Sequence, residues 1–267
     1  MPDGLATSDS PLLFERDGAV ARLTLNRPGA ANAIDVPLSR ALMLAAIRCD
    51  EDDSIRAVLL TGSGRFFCTG GDIRAFAAAG AAGVASFVKE GTAYLHMAVA
   101  RLARMNKPLV VSVNGPSAGA GFSLCLIGDI VIAARTAQFV AAYTALGVSP
   151  DGGLTRVLPR LVGLRRAQEL MLTNRTLSAD EACQLGLVTR VCDDASLSNE
   201  AQRQALELAT GPTTAYGATR RMLLRSSESS LESALEEESR ALAEMARGLH
   251  GQEGISAFIS KRKPVFS

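Results

Sequence analysis

The spacing of apolar positions changes along this chain, and the change divides it into elements. Short apolar runs at 12–14 and 19–25 predict two strands joined at Asp17-Gly18, a common hairpin signal. From Asp35 the period lengthens. Leu38, Leu42, Ala45 and Ala46 fall on one helical face, with Asp35 as N-cap, Pro37 in the first turn and the acidic cluster Asp50-Glu51-Asp52-Asp53 at the end. The unbroken apolar run 56–60 predicts a strand in a sheet covered on both faces.

A helix is expected after Asp72. The alanine- and glycine-rich stretch 77–85 reads as a mobile loop, and 87–105 as a long helix stopped by Asn106 and Pro108. A strand at 109–113, a helix from about Gly119 and a strand at 129–133 follow. Beyond Gly152 helices dominate: 153–160, 164–172 and 178–185, a short strand at 187–191, then 196–210, 213–225, 230–247 and 251–260. Strands alternating with helices early and helices alone late predict an α/β fold, with a parallel-type core over 1–195 and a helical region over 196–267. Residues 1–10 read as a polar leader. The apolar stripe of Leu231, Leu235, Leu242 and Met245 is expected to pack either on its own domain or on a neighbouring subunit.

Composition narrows the function classes. A net charge of +1 with scattered basic residues gives no footprint for nucleic acid or an acidic membrane surface, and no Trp with three Tyr leaves few stacking platforms for bases. Five cysteines without a C-x-x-C pair read as buried thiols of a reducing compartment, not as disulfides or zinc ligands. With neither a signal-peptide pattern nor a bilayer-length apolar run, a cytoplasmic protein is expected.

Candidate chemistry gathers at two strand-to-helix corners. Asn114-Gly115-Pro116-Ser117-Ala118-Gly119-Ala120-Gly121 follows an apolar run, and Cys68-Thr69-Gly70-Gly71-Asp72-Ile73 forms a similar junction. Small side chains let a ligand approach bare backbone at a helix start whose first N–H groups lack partners. The two corners are either tight turns or, together, a two-donor oxyanion site.

These motifs, with Leu25-Asn26-Arg27-Pro28, Ala31-Asn32-Ala33, Gly128-Asp129, Gly147-Val148-Ser149-Pro150-Asp151-Gly152-Gly153 and Leu177-Ser178-Ala179, resemble the enoyl-CoA hydratase/isomerase (crotonase) superfamily over residues 12–266. The resemblance implies a spiral of ββα units, acyl-CoA thioester chemistry, and a homotrimer or a hexamer built as a dimer of trimers. It assigns the oxyanion donors to the N–H groups of Gly71 and Ala120. It lays coenzyme A, brought as part of the substrate and not as a resident cofactor, along Arg27, Ala31, Ala33, Gly70, Asp72, Ile73 and Arg74. Arg27 and Arg74 are then phosphate partners or solvated charges. The same alternatives hold for Lys261, Arg262 and Lys263, where similar proteins approach the CoA of a neighbouring subunit.

The acid–base groups depart from the pattern. Hydratases similar to this chain carry two glutamates where it has Ser123 and Tyr143, so two-carboxylate addition of water is not expected. A serine hydroxyl is too weak an acid or base to replace them without a helper. Asp151 remains, either as a turn residue and helix N-cap or as a single proton-shuttling carboxylate. Ring-epoxide acyl-CoA isomerases of the superfamily show the same Pro-Asp followed by glycine, with hydroxylated and aromatic residues at the positions of Ser123 and Tyr143. Phe122, Leu146, Val148 and Leu154 are expected to form an apolar wall about the carboxylate. Ser123, Tyr143, Leu146 and Pro150 are pocket candidates, Tyr143 as lining or as a donor. Cys68 reads as a small buried filler and His96 as a helix-packing residue. The expected activity is an isomerase. Alternatives are an atypical hydratase or hydrolase, and a CoA-ester-binding protein without catalysis.

Overall fold

Residues 12–17 and 20–25 place apolar side chains where a sheet needs them and form the hairpin β1 (Leu12–Asp17) and β2 (Val20–Leu25). The loop is Gly18-Ala19, one residue later than the sequence signal, and Gly18 supplies the left-handed φ of 56° that the turn requires. This computed structural model describes residues 10–266; the polar leader, apart from Ser10, lies outside them. Next come α1 (Val36–Glu51), β3 (Ala57–Gly62), α2 (Ile73–Arg104), β4 (Leu109–Val113), β5 (Ser117–Ala118), α3 (Ala120–Leu126), β6 (Ile130–Ala134) and β7 (Gln138–Val140). They are followed by α4 (Leu154–Val162), α5 (Leu164–Thr173), β8 (Leu177–Ser178), α6 (Ala179–Gln184), β9 (Arg190–Cys192), α7 (Leu197–Ala209), α8 (Thr213–Arg225), α9 (Leu231–Arg247) and α10 (Leu249–Ile259).

The main sheet runs β1-β2-β3-β4-β6-β9, parallel except for the β1–β2 hairpin. Every residue of β4 is buried, as expected of a strand covered on both faces. One face joins a large core that includes Leu38, Leu42, Leu60, Phe67, Leu102, Val111 and Phe122. On the other, Val20, Leu59, Val110 and Ile132 meet a stripe of Leu197, Ala201, Ala205 and Ala209 from α7, spaced four apart so that small side chains let the helix lie close. Asp35 caps α1 by accepting the Leu38 N–H at 2.9 Å.

Two expectations change. The stretch 77–85 is not a loop, because α2 continues through it with one break at Gly80, whose φ of 64° and ψ of 170° kink the helix. Alanines sustain helix on both sides, and glycine alone takes that conformation cheaply. The strand expected at 187–191 begins only at Arg190; Leu187 and Val188 are buried but precede it.

A second sheet of three very short strands, β5-β7-β8, was not read from the sequence. Its two- and three-residue strands are too brief for a period of two to register. Farther on, Arg220 of α8 donates to Asp129 at 2.8 Å, to the carbonyls of Lys107 and Leu102, and to that of Met105, tying α8 to the end of α2. Among the described residues no helix is long and apolar enough to cross a membrane.

Candidate active site

Backbone contacts clamp the two glycine corners together. Cys68 and Ser117 form a bridge, and the Ala118 N–H donates to the Cys68 carbonyl at 2.9 Å. A Cβ on Gly121 would run into that carbonyl, and one on Gly70 would sit 3.0 Å from the Ala118 oxygen. Gly70 and Gly119 also hold φ of 90° and 51°. Both turns therefore need residues without side chains for conformation and for space. Among the described residues no hydrogen-bond acceptor takes the N–H of Gly71 or Ala120, and both residues line one cavity of about 630 Å³. Buried Cys68, its thiol pushed up to about 12 by desolvation, is protonated filler behind the corner.

Asp151 lines the same cavity, its side chain 25% exposed. It does not cap a helix: α4 starts at Leu154 with Gly153 at its N-cap position and no side-chain cap, and only the Asp151 carbonyl accepts the Leu154 N–H. The carboxylate faces Tyr143, whose hydroxyl donates to Oδ1 at 2.6 Å. Burial, and then the negative charge of Asp151, push the Tyr143 phenol well above its ordinary value, so it stays a donor.

Ser123 lies behind them, buried and away from the cavity wall. Its Oγ is 2.9 Å from the Asp151 carbonyl and 3.1 Å from the Tyr143 hydroxyl. Tyr143 has one proton, and the carboxylate takes it; the Ser123 proton is then shared between the Asp151 carbonyl and the phenol oxygen. Ser123 also shapes the loop. A Cβ on Gly152 would sit 2.8 Å from the Ser123 Cβ, and Gly152 has φ of 61°, which explains glycine directly after the aspartate. Pro150 belongs to this loop but not to the cavity lining.

His96, read from the sequence as a packing residue, is at the site. Its Nε2 accepts the Gly152 N–H at 3.2 Å and lies 3.4 Å from Asp151 Oδ2, while the ring stays half exposed. Asp151 follows His96 by 55 positions, so adjacency was not legible. The available signal was helical: Thr92 lies one turn before His96 and lines the cavity, as does the adjacent Leu95.

The segment matched to CoA binding is held by Arg27. Its guanidinium pairs with Asp35 and Asp72 at 3.0 Å each and donates to the Ala33 carbonyl. Burial alone would raise the Asp72 carboxyl, but Arg27 and the N–H groups of Ala75 and Arg74 outweigh it and hold it below the usual range. Arg27 thus neutralises two carboxylates, and Arg74 is the exposed cation at this corner. Ala31, at φ 51°, accepts the Thr69 N–H, while Ile73 and Gly70 reach the cavity. Ala31 and the buried Ala33 do not line the cavity. Arg262 is bound by both oxygens of Glu253.

The far wall is apolar. Phe76 and Phe87, on opposite sides of the Gly80 kink, meet edge to face with centroids 5.7 Å apart, and Val84, Val88 and Leu95 join them. Leu146 and Val148 complete the mouth; Phe122 and Leu154, expected beside them, are buried in the core instead.

A family described as "Enoyl-CoA hydratase/isomerase" matches residues 15–267. The chain belongs to this family. It is 38% identical to 1,2-epoxyphenylacetyl-CoA isomerase of Escherichia coli K12, over 96% of this chain and 98% of that protein. To 4-chlorobenzoyl coenzyme A dehalogenase-2 of Arthrobacter sp. it is 33% identical, over 96% and 93%. The crystal structure of an enoyl-CoA hydratase from Polaromonas sp. JS666 superposes with a TM-score of 0.91 at 31% identity, covering 96% of this chain and 99% of that one. The fold is the crotonase fold, and the protein is an enzyme of the enoyl-CoA hydratase/isomerase family.

Proposed function

We propose that the protein is an acyl-CoA isomerase that moves one proton with Asp151. The thioester carbonyl lies between the N–H groups of Gly71 and Ala120, where charge gathering on oxygen meets preorganised donors. Each such donor contributes about 2.7–4 kcal/mol to transition-state stabilisation. Asp151 takes a proton from the acyl chain and returns it at another carbon, shifting a double bond or assisting rearrangement of a ring epoxide. The supporting observation is the free oxygen of Asp151. Among the described residues two carboxylates line the cavity: Asp35 is tied to Leu38 and Arg27, whereas no hydrogen bond reaches Asp151 Oδ2, which lies 3.4 Å from His96 Nε2. Coenzyme A enters with the substrate, its phosphates near Arg74.

Asp151→Asn tests this with a 3-enoyl-CoA in heavy-oxygen water. Isomerisation without label is expected from the native protein, with a loss of about 10²–10⁴-fold in the variant. Label in the acyl product would make it a hydratase, and tight binding without turnover a CoA-ester-binding protein.

The reading extends to assembly as a homotrimer or a dimer of trimers. No residue of α9 is buried, and its Leu231, Leu235 and Leu242 stand 69%, 55% and 72% exposed. A stripe of this size is covered in a stable protein. Light scattering of the purified chain reads the number of copies, and a monomer would remove this part of the proposal.

A further inference from the structure

We infer that His96 is the route by which the proton on Asp151 exchanges with solvent. The inference rests on the isomerase reading above. Tyr143 occupies Oδ1 of Asp151 as a donor, so Oδ2 is the oxygen that receives a proton from the acyl chain. His96 Nε2 lies 3.4 Å from that oxygen. That nitrogen accepts the Gly152 N–H, so in this arrangement it presents a lone pair and not a proton. Half of the side chain, 51%, is open to water. The Asp151 carboxyl, its side chain 25% exposed, thus stands beside an imidazole that is itself half open to water. The other charged groups lining the cavity are Asp35, paired with Arg27, and Lys89.

The step balances. The acyl C–H bond breaks, its electrons pass to the thioester oxygen and its proton binds Oδ2. The Oδ2–H bond then breaks in favour of Nε2–H as Gly152 releases the nitrogen, giving imidazolium beside carboxylate. Water exchanges the Nε2 proton, the same path returns a solvent proton to Oδ2, and Oδ2 delivers it to the second carbon. His96 acts through Asp151 and touches no substrate atom, so it is a positioning residue for the proton.

The test follows isomerisation of cis-3-hexenoyl-CoA to the 2-enoyl product in deuterium oxide and reads deuterium at C4 per turnover by mass spectrometry. The native protein is expected to give largely deuterated product. In His96→Gln the amide oxygen still accepts the Gly152 N–H but takes no proton, so the original proton is returned and deuterium per turnover falls about tenfold, whatever the rate. A purely structural role changes the rate and leaves label per turnover unchanged. Equal label in variant and native protein, undeuterated native product, or an inactive but folded variant would each overturn the relay. A native protein that binds but does not isomerise this thioester would overturn the isomerase reading instead.

Discussion

The Tyr143 hydroxyl and Asp151 Oδ1 lie 2.6 Å apart, and this contact leaves the carboxylate with one oxygen held by a donor and the other, Oδ2, 3.4 Å from His96 Nε2. The aromatic residue stands where similar hydratases carry a second glutamate. It cannot ionise in that place near neutral pH, because burial and the adjacent charge both favour the phenol. Tyr143 is therefore a donor that orients the Asp151 carboxylate.

Tyr143→Phe removes this donor and leaves the ring in the cavity wall. A hydrogen bond to a charged group contributes about 1.5–3 kcal/mol, so kcat should fall roughly 10- to 100-fold while KM changes little. Steady-state kinetics with a turned-over acyl-CoA checks it, and an unchanged kcat would show that Asp151 needs no fixed orientation.

Gly121→Ala drives a methyl group into the Cys68 carbonyl, which is backbone and has no room to yield. The cost is expected to exceed about 3 kcal/mol and to separate the two glycine corners. Gly29→Ala, where an added Cβ meets nothing within 4 Å, is the matched control and should unfold like the native protein in urea.

Gly80→Ala asks an alanine to take φ 64°, ψ 170° or to straighten α2. Straightening pulls Phe76 away from Phe87. We expect a change of roughly 5- to 150-fold in kcat/KM that differs between ring-bearing and straight-chain acyl groups, because one methylene-scale change of an apolar wall carries about 1–3 kcal/mol. Equal effects on both groups would mean that the kink does not shape the acyl pocket.

Burial raises the thiols of Cys49 and Cys68 from 9.0 to about 12 each. In the unfolded chain they ionise first, so the unfolded state holds fewer protons between these values. Stability is full below pH 9 and falls through the window from 9 to about 12, at up to about 1.4 kcal/mol per pH unit per thiol. Urea midpoints measured across this range should drop, and less steeply in Cys49→Ala.

Much of this molecule is written in local pattern. The apolar run of β4 and the Asp35 cap each follow from a handful of neighbouring side chains, as do the two glycine corners and their helix starts. The lone carboxylate at 151 was also visible, because the residues that would accompany it elsewhere are replaced by Ser123 and Tyr143. Other features depended on chain segments meeting. Arg27, expected from the resemblance as a phosphate partner or a solvated charge, turns inward to Asp35 and Asp72 because two carboxylates converge there. The kink at Gly80 was hidden by alanines that suit loop and helix alike. His96 carried only the weak helical signal of sharing a face with Thr92, since its contact with Asp151 comes from a loop folded back against α2 from 55 positions away. Sequence settled which groups are present and how each short stretch curls, for those depend on nearest neighbours. Only tertiary structure chose which groups meet, because proximity across the chain is decided by how the layers pack.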